Sequence, residues 1–210
     1  MKGLENLYRK FFKRLLDILL SASALIILFL PMMIFAIIIK SEDKGSVFFK
    51  QKRVGIHKKI FLMYKFRSMK MSTPHDTPTH LLTDPEKYLL RSGKWMRKYS
   101  IDELPQLINI LKGDMSVVGP RPALYNQDDL IAERDKYGAN DIKPGLTGWA
   151  QVNGRDELEI NVKAKFDGEY VQRESFIFDV QCILKTVAGV VKHKGVIEGG
   201  INNKNGNPII

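Results

Sequence analysis

The chain has 210 residues, a formal net charge of +10 and a single cysteine. That length suits one domain with an appended membrane element; one cysteine excludes a disulfide framework and suits a reducing compartment. The positive excess points to polyanionic partners, but aromatic residues do not interleave with the basic ones as in nucleic-acid modules, which leaves lipid headgroups and phosphorylated small molecules.

Residues 18–39 contain no charged side chain, a run of 22 that is long enough to cross a hydrocarbon core of roughly 30 Å. It exceeds the apolar core of a signal peptide, and no small-x-small cleavage site ends it. Pro31 sits inside the run, where it removes a helix hydrogen bond and favours a kink. Both flanks are basic, with Lys2, Arg9, Lys10, Lys13 and Arg14 before and Lys40, Lys44, Lys50, Lys52 and Arg53 after. The positive-inside preference therefore applies to both ends, and the pattern predicts a re-entrant helix that enters, breaks at Pro31 and returns. Asp17, at the edge of the run, either pairs with Arg14 one turn earlier or stays among headgroups.

Residues 46–51 and 59–66 are rich in β-branched and aromatic side chains, with Gly55 between them, and predict a hairpin. It ends in Lys65-Phe66-Arg67-Ser68-Met69. Alternate strand residues share a face, so Lys65 and Arg67 either meet phosphate together or form a solvated edge that blocks aggregation. Residues 71–85 read as a loop; its His75, Asp76 and His80 match no zinc or di-metal spacing and are taken as solvated. Residues 88–99 predict a short basic helix, with Leu89, Leu90 and Trp95 for packing or the membrane interface. Arg91, Lys94, Arg97 and Lys98 are its headgroup candidates.

Residues 100–122, SIDELPQLINILKGDMSVVGPRP, hold the densest information. Leu104, Leu107, Ile108 and Leu111 recur at helical spacing, which places Asp102 and Glu103 at a helix N-terminus, favourable for negative charge and for phosphate. Ser100-x-x-Glu103 matches a capping box, with Asp102 an alternative N-cap. Against that structural reading, Pro120 and Pro122 confine Arg121, a fork suited to phosphate, and a carboxylate beside bound phosphate suggests a metal ligand or a nucleophile.

Farther on, residues 128–137 predict a charged surface helix. Residues 143–155, KPGLTGWAQVNGR, contain three glycines that permit close backbone approach. Residues 176–192 predict a helix with Ile177, Val180, Ile183, Leu184, Val187 and Val191 as its apolar stripe, and an early Asp179 suits the dipole's positive end. Residues 201–210 are rich in Asn and Gly and predict disorder.

DELPQ, NILKGDMSVVGPRP and KPGLTGWAQVNGR, in that order, together with KFRSM, resemble motifs of the bacterial sugar transferases, the small monotopic phosphoglycosyl transferases. The resemblance runs from about Arg9 to Gly200. It implies an α+β, mostly helical fold: a membrane-inserted segment over residues 1–40, a compact cytoplasmic domain over 41–200 with a small hairpin and interfacial amphipathic helices, and a tail over 201–210. It also supports the re-entrant helix, although Leu30 stands where members often carry a serine before the proline.

The resemblance implies transfer of a phospho-sugar from a UDP-sugar to polyprenol (undecaprenyl) phosphate, giving polyprenyl-diphospho-sugar and UMP. Asp102 would attack phosphorus to form an aspartyl-phosphosugar, which splits the transfer into two displacements; Glu103 would assist as an acid/base or metal-organising group. Mg2+, a cation suited to oxygen ligands, would be held by Asp102 and Glu103. Lys65, Arg67, Arg121, Gln151, Arg155 and Asp179 would contact phosphates and substrate. The setting would be the cytoplasmic face of the inner membrane, at the first membrane step of exopolysaccharide, capsule, O-antigen or glycoprotein glycan assembly, with homo-oligomers an option.

Three other readings compete. A non-catalytic membrane-tethered adaptor would leave the carboxylates dispensable. A phosphotransferase using CDP-activated lipid calls for several spanning helices and an Asp-rich motif, neither present. A phosphatase forming an aspartyl-phosphate needs no lipid-embedded segment.

Overall fold

The computed structural model describes residues 7–73, 85–154 and 158–191, so the loop histidines, Arg155 and the tail at 201–210 lie outside the described residues. A π-helical turn at Tyr8–Phe12 leads into α1, Lys13–Glu42, whose 30 residues span roughly 45 Å. α1 runs through Pro31 as one α-helix, which corrects the expected break. The reason lies in what grips the two halves. Ala24, Leu25 and Leu28 pack on Met63, Leu107, Ile110 and Met115, while Met32, Phe35 and Ala36 join Ile39 against Phe66, Leu90 and Met96. A proline removes one backbone bond, and packing on both sides of it holds the helix together. The opposite face, including Ile26, Ile27, Phe29, Leu30, Ile34 and Ile37, is exposed. By length and composition α1 is the one helix among the described residues able to cross a membrane.

The hairpin forms as the sequence predicts. β1, Phe48–Val54, pairs antiparallel with β2, Ile60–Phe66, in the register Phe48↔Phe66 to Val54↔Ile60. Its left-handed turn residues are His57 (φ 52°) and Lys58 (φ 59°), not Gly55. Next come a 3₁₀ turn at Pro85–Tyr88, α2 at Arg91–Lys98, a 3₁₀ turn at Ile101–Glu103 and α3 at Gln106–Lys112. α3 is shorter than predicted and is rotated, for it buries Gln106, Leu107, Asn109 and Ile110. Asn109 explains the rotation: its side chain accepts from the Tyr64 N–H at 2.9 Å and donates to the Leu62 carbonyl at 2.8 Å, which draws that face of α3 onto β2.

β3, Ser116–Val118, pairs in parallel with β4, Gly145–Thr147. Between them α4, Asp128–Asp135, exposes most of its charges but buries Arg134 against Asp167. After β4 come α5, Trp149–Val152, α6, Ile160–Arg173, and α7, Phe176–Val191. The β3–β4 pairing brings two of the sequence motifs into backbone contact. A Cβ on Gly145 would lie 2.1 Å from the Gly119 nitrogen, and one on Gly148 would lie 2.0 Å from the Gly119 oxygen. The glycines thus let the KPGLTG and VGPRP segments touch each other. Gly145→Ala is expected to destabilise the fold by at least about 3 kcal/mol, since overpacking here meets backbone. Gly189→Ala, with open space around it, is expected to stabilise by about 0.5–1 kcal/mol. Thermal unfolding in detergent checks both.

Most of the apolar stripe of α7 faces outward: Ile177, Val180, Leu184 and Val187 are exposed, while Ile183 packs on the core and Phe178, Asp179 and Cys182 are buried. The helix turns this way because Asp179 reaches a buried cation and two phenols and Phe178 packs against Trp149 and Tyr170.

Candidate active site

Ser100 ends the turn after α2 in the left-handed region, at φ 56°, a placement that costs a non-glycine residue on the order of 1–3 kcal/mol. The chain then enters the 3₁₀ turn, where successive side chains project roughly 120° apart. Asp102 and Glu103, adjacent in sequence, therefore enter different surroundings. The capping box is not formed: Ser100 makes no side-chain cap bond, and cations take the Glu103 carboxylate.

Glu103 Oε1 accepts from Lys65 Nζ at 2.8 Å and from Arg121 Nη2 at 2.7 Å, and Arg121 Nη1 lies 3.4 Å from Oε2. Burial alone would raise the Glu103 carboxyl, but Arg121 and Lys65 overcome it and hold the group well below the usual range. Asp102 is buried and accepts no hydrogen bond among the described residues. Burial pushes its carboxyl above the ordinary 3.8; Lys65 opposes that, Glu103 adds to it, and Arg97 and Arg121 oppose it further. One cation cluster thus locks the first carboxylate and leaves the second with its lone pairs uncommitted.

Arg121 is placed by its turn. Gly119 N–H donates to the Thr147 carbonyl at 2.8 Å, Gly145 N–H to the Pro120 carbonyl at 2.9 Å, and Arg53 Nη1 to the Pro122 carbonyl at 2.9 Å. Both prolines and strands from two sheets therefore hold the guanidinium against Glu103. Arg97, read from sequence as a headgroup contact, belongs here too: its Nε donates to Ser68 Oγ at 2.9 Å, and its charge favours ionised Asp102. No pattern in the sequence separates it from Arg91, Lys94 and Lys98.

The other candidates scatter. Arg67 lies one residue beyond β2, where the strand alternation has ended, and it engages the Asp43 carboxylate and carbonyl instead of sharing a face with Lys65. Gln151 is buried on α5, and neither of its amide atoms has a hydrogen-bond partner; it lies beside Gly148 and hence near the Gly119 turn. Asp179 is consumed elsewhere: Tyr8 donates to Oδ2 at 2.6 Å, Tyr170 to Oδ1 at 2.6 Å, and Lys13 Nζ sits at 2.5 Å from Oδ2. The favourable-dipole reading of Asp179 gives way to a buried cluster that ties the start of α1 to α6 and α7. Among the described residues no three His, Cys, Asp or Glu side chains converge as metal ligands. A divalent cation here would draw on Asp102, on the remaining lone pairs of Glu103, and on oxygens of a bound phosphate.

A family profile described as bacterial sugar transferase matches residues 8–193. The chain is 41% identical over 189 residues to the uncharacterized sugar transferase EpsL of Bacillus subtilis (strain 168), covering 88% of this chain and 89% of that one. It is 37% identical over 189 residues to the UDP-glucose:undecaprenyl-phosphate glucose-1-phosphate transferase of Xanthomonas campestris pv. campestris, covering 87% of this chain but 39% of that protein. With the exopolysaccharide production protein ExoY of Rhizobium meliloti (strain 1021) the identity is 33% over 198 residues, covering 87% of each. The chain therefore spans nearly all of two of these relatives and about two-fifths of the third.

Proposed function

The chain belongs to the bacterial sugar transferase family, and on that footing we propose that it moves a sugar phosphate from a UDP-sugar to polyprenol phosphate through a covalent intermediate on Asp102. One observation carries this reading: of two adjacent carboxylates, Glu103 is locked by Lys65 and Arg121, while Asp102 is buried, unbonded and within the field of Lys65, Arg97 and Arg121. A structural carboxylate is paired in the manner of Glu103; one left unpaired beside cations is free to attack phosphorus.

In the first displacement an Asp102 oxygen bonds to the phosphorus that bears the sugar. The bond from that phosphorus to the bridging oxygen breaks, and UMP leaves with the electron pair. In the second, a phosphate oxygen of polyprenol phosphate bonds to the same phosphorus and Asp102 departs as a carboxylate. Lys65, Arg97 and Arg121 offset the charge gathered on the phosphoryl oxygens, the usual need in phosphoryl transfer. Glu103 holds Lys65 and Arg121 in place for that work. Among the described residues too few carboxylates converge for a resident ion, but magnesium drawing its other ligands from diphosphate and water would need only one or two carboxylates, and Asp102 and Glu103 would be the residues to hold it. When bound, it neutralises the diphosphate.

We also assign the protein to the cytoplasmic leaflet without crossing it. Both ends of α1 are tied to the same globular body, so neither end is available to the far side of a bilayer. The exposed face of α1, with Trp95 stacked on Phe35, and the outward stripe of α7 supply apolar surface of the kind that seats in an interface.

Intact mass of the detergent-purified protein, incubated with magnesium and a panel of UDP-sugars without acceptor, tests the reading. A gain of one phosphosugar, reversed on adding polyprenol phosphate, is the expected result. The adaptor reading predicts no adduct and no UMP with any donor.

A further inference from the structure

α1 carries polar side chains at both edges of its apolar run, and each reaches a segment that borders a site residue. Arg14 donates from Nη1 to the Ile110 carbonyl at 2.6 Å and from Nη2 to the Leu111 carbonyl at 2.8 Å, capping the helix that follows Glu103. At the other edge Glu42 accepts from the Ser92 N–H at 3.1 Å, at the start of the helix that carries Arg97, and Asp43 holds Arg67, two residues past Lys65. Asp17 is the most enclosed of the set, with 4% of its surface exposed. Its Oδ1 accepts from Ser116 Oγ at 3.0 Å and from the Val117 N–H at 2.8 Å. Neither sequence reading of Asp17, a pair with Arg14 or a place among headgroups, is what the fold uses.

Val117 lies on β3, four residues before Arg121, and β3 continues into the Gly119–Pro120 turn that aims this arginine at Glu103. Val117 is half-buried, and the two hydrogen bonds that β3 sends to the enclosed Asp17 carboxylate fix where the outer edge of the strand sits. We propose that Asp17 is a positioning residue: it couples the seat of the apolar helix to the strand that delivers Arg121, and through Arg121 to the charge balance around Asp102. The inference rests on the reaction proposed above, and its test separates the two.

Both hydrogen bonds go to one oxygen, so the role needs an acceptor and not a charge. Asp17→Ala removes the acceptor, whereas Asp17→Asn keeps it. The measurements are UMP release, resolved into kcat and KM, and backbone hydrogen exchange over residues 116–121 in the full chain in detergent. Asp17→Ala is expected to lower kcat about 10- to 100-fold, the scale of a small misplacement in a site, with faster exchange at Val117 and at Gly119, whose N–H donates to the Thr147 carbonyl. Asp17→Asn is expected to restore both to within about threefold of wild type, which a loss of charge alone does not permit.

Equal losses in Asp17→Ala and Asp17→Asn overturn the proposal, as does faster exchange with full turnover in Asp17→Ala. If Asp17→Ala does not fold, Ser116→Ala, which removes one of the two bonds, is expected to give a smaller drop in kcat with the same exchange pattern; unaltered exchange there overturns it. Should wild type release no UMP from any UDP-sugar, the proposed reaction fails and exchange alone decides: protection at Gly119 lost in Asp17→Ala and kept in Asp17→Asn supports the brace, and protection kept in both refutes it.

Discussion

Asp102→Asn is expected to lower UMP release by at least about a thousandfold, the scale of losing a nucleophile, and to abolish the phosphosugar mass adduct while raising thermal stability. The two effects share one cause. Burial lifts the Asp102 carboxyl above 3.8, so the folded protein binds this proton more tightly than the unfolded chain does. By linkage, stability contributed at this site falls as pH rises from the unfolded pKa through the folded one, so the penalty for ionising the buried carboxyl grows with pH. A neutral amide escapes it. The Tm of Asp102→Asn in chelated, metal-free buffer is therefore expected to exceed that of wild type at pH 7 and to converge with it in acid. Glu103 has the opposite sign: its lowered carboxyl contributes stability above pH 4.5 that is lost as pH falls through the folded value, so Glu103→Gln is expected to lower Tm at neutrality. Retained turnover in Asp102→Asn sinks the nucleophile assignment.

Asp179→Ala is expected to destabilise the protein by about 3–5 kcal/mol, the usual cost of removing one partner from a buried ion pair. In a chain of this size that lowers Tm by roughly 6–20 °C. Lys13 would be left with Tyr8, Tyr170 and the more distant Glu174, at 3.8 Å, after losing its 2.5 Å contact with Asp179. The double variant Lys13→Met/Asp179→Asn removes the stranded charge and leaves an amide oxygen for the two phenols, so it is expected to regain most of the stability. In that double variant, well below its Tm, UMP release per folded molecule is expected to stay within about tenfold of wild type, because the hydrogen bonds of Asp179 run to Tyr8, Lys13 and Tyr170 and not to Asp102 or the cations around it, so the cluster enters through the fold. A much larger loss in a stable double variant would place Asp179 at the substrate after all.

The placement of Asp102, Arg97 and Asp17 shows what kind of information local sequence carries. The acidic pair and the proline-flanked arginine carry the chemistry in their residue types, and their spacing fits capping equally well. What spacing omits is the arrival of Lys65 from 38 residues before Glu103 and of Arg121 from 18 after it. Those cations turn a capping pattern into a clamp and make the neighbouring carboxylate the free one. Arg67 and Arg97 exchange roles for a similar reason: Arg67 stands just past the last paired strand residue, where alternation no longer predicts direction, and Asp43 at the end of α1 captures it.

By itself the amino-acid sequence determined the elements whose causes are local. The uncharged stretch at 18–39 yields a long apolar helix, the alternating aromatic and β-branched segments yield the β1–β2 hairpin, and the helices near 88–99, 128–137 and 176–192 follow from periodicity. Only the tertiary structure decided which faces and which partners those elements use. α7 could bury either its apolar stripe or the face with Phe178, Asp179 and Cys182, and the polar cluster with Lys13, Tyr8 and Tyr170 selected the second. The helix through Pro31 stays whole because hydrophobic clusters grip it on both sides of the proline. Hydrogen bonds and ion pairs between distant segments depend on distance and burial in the finished fold, and a one-dimensional pattern of residue types specifies neither.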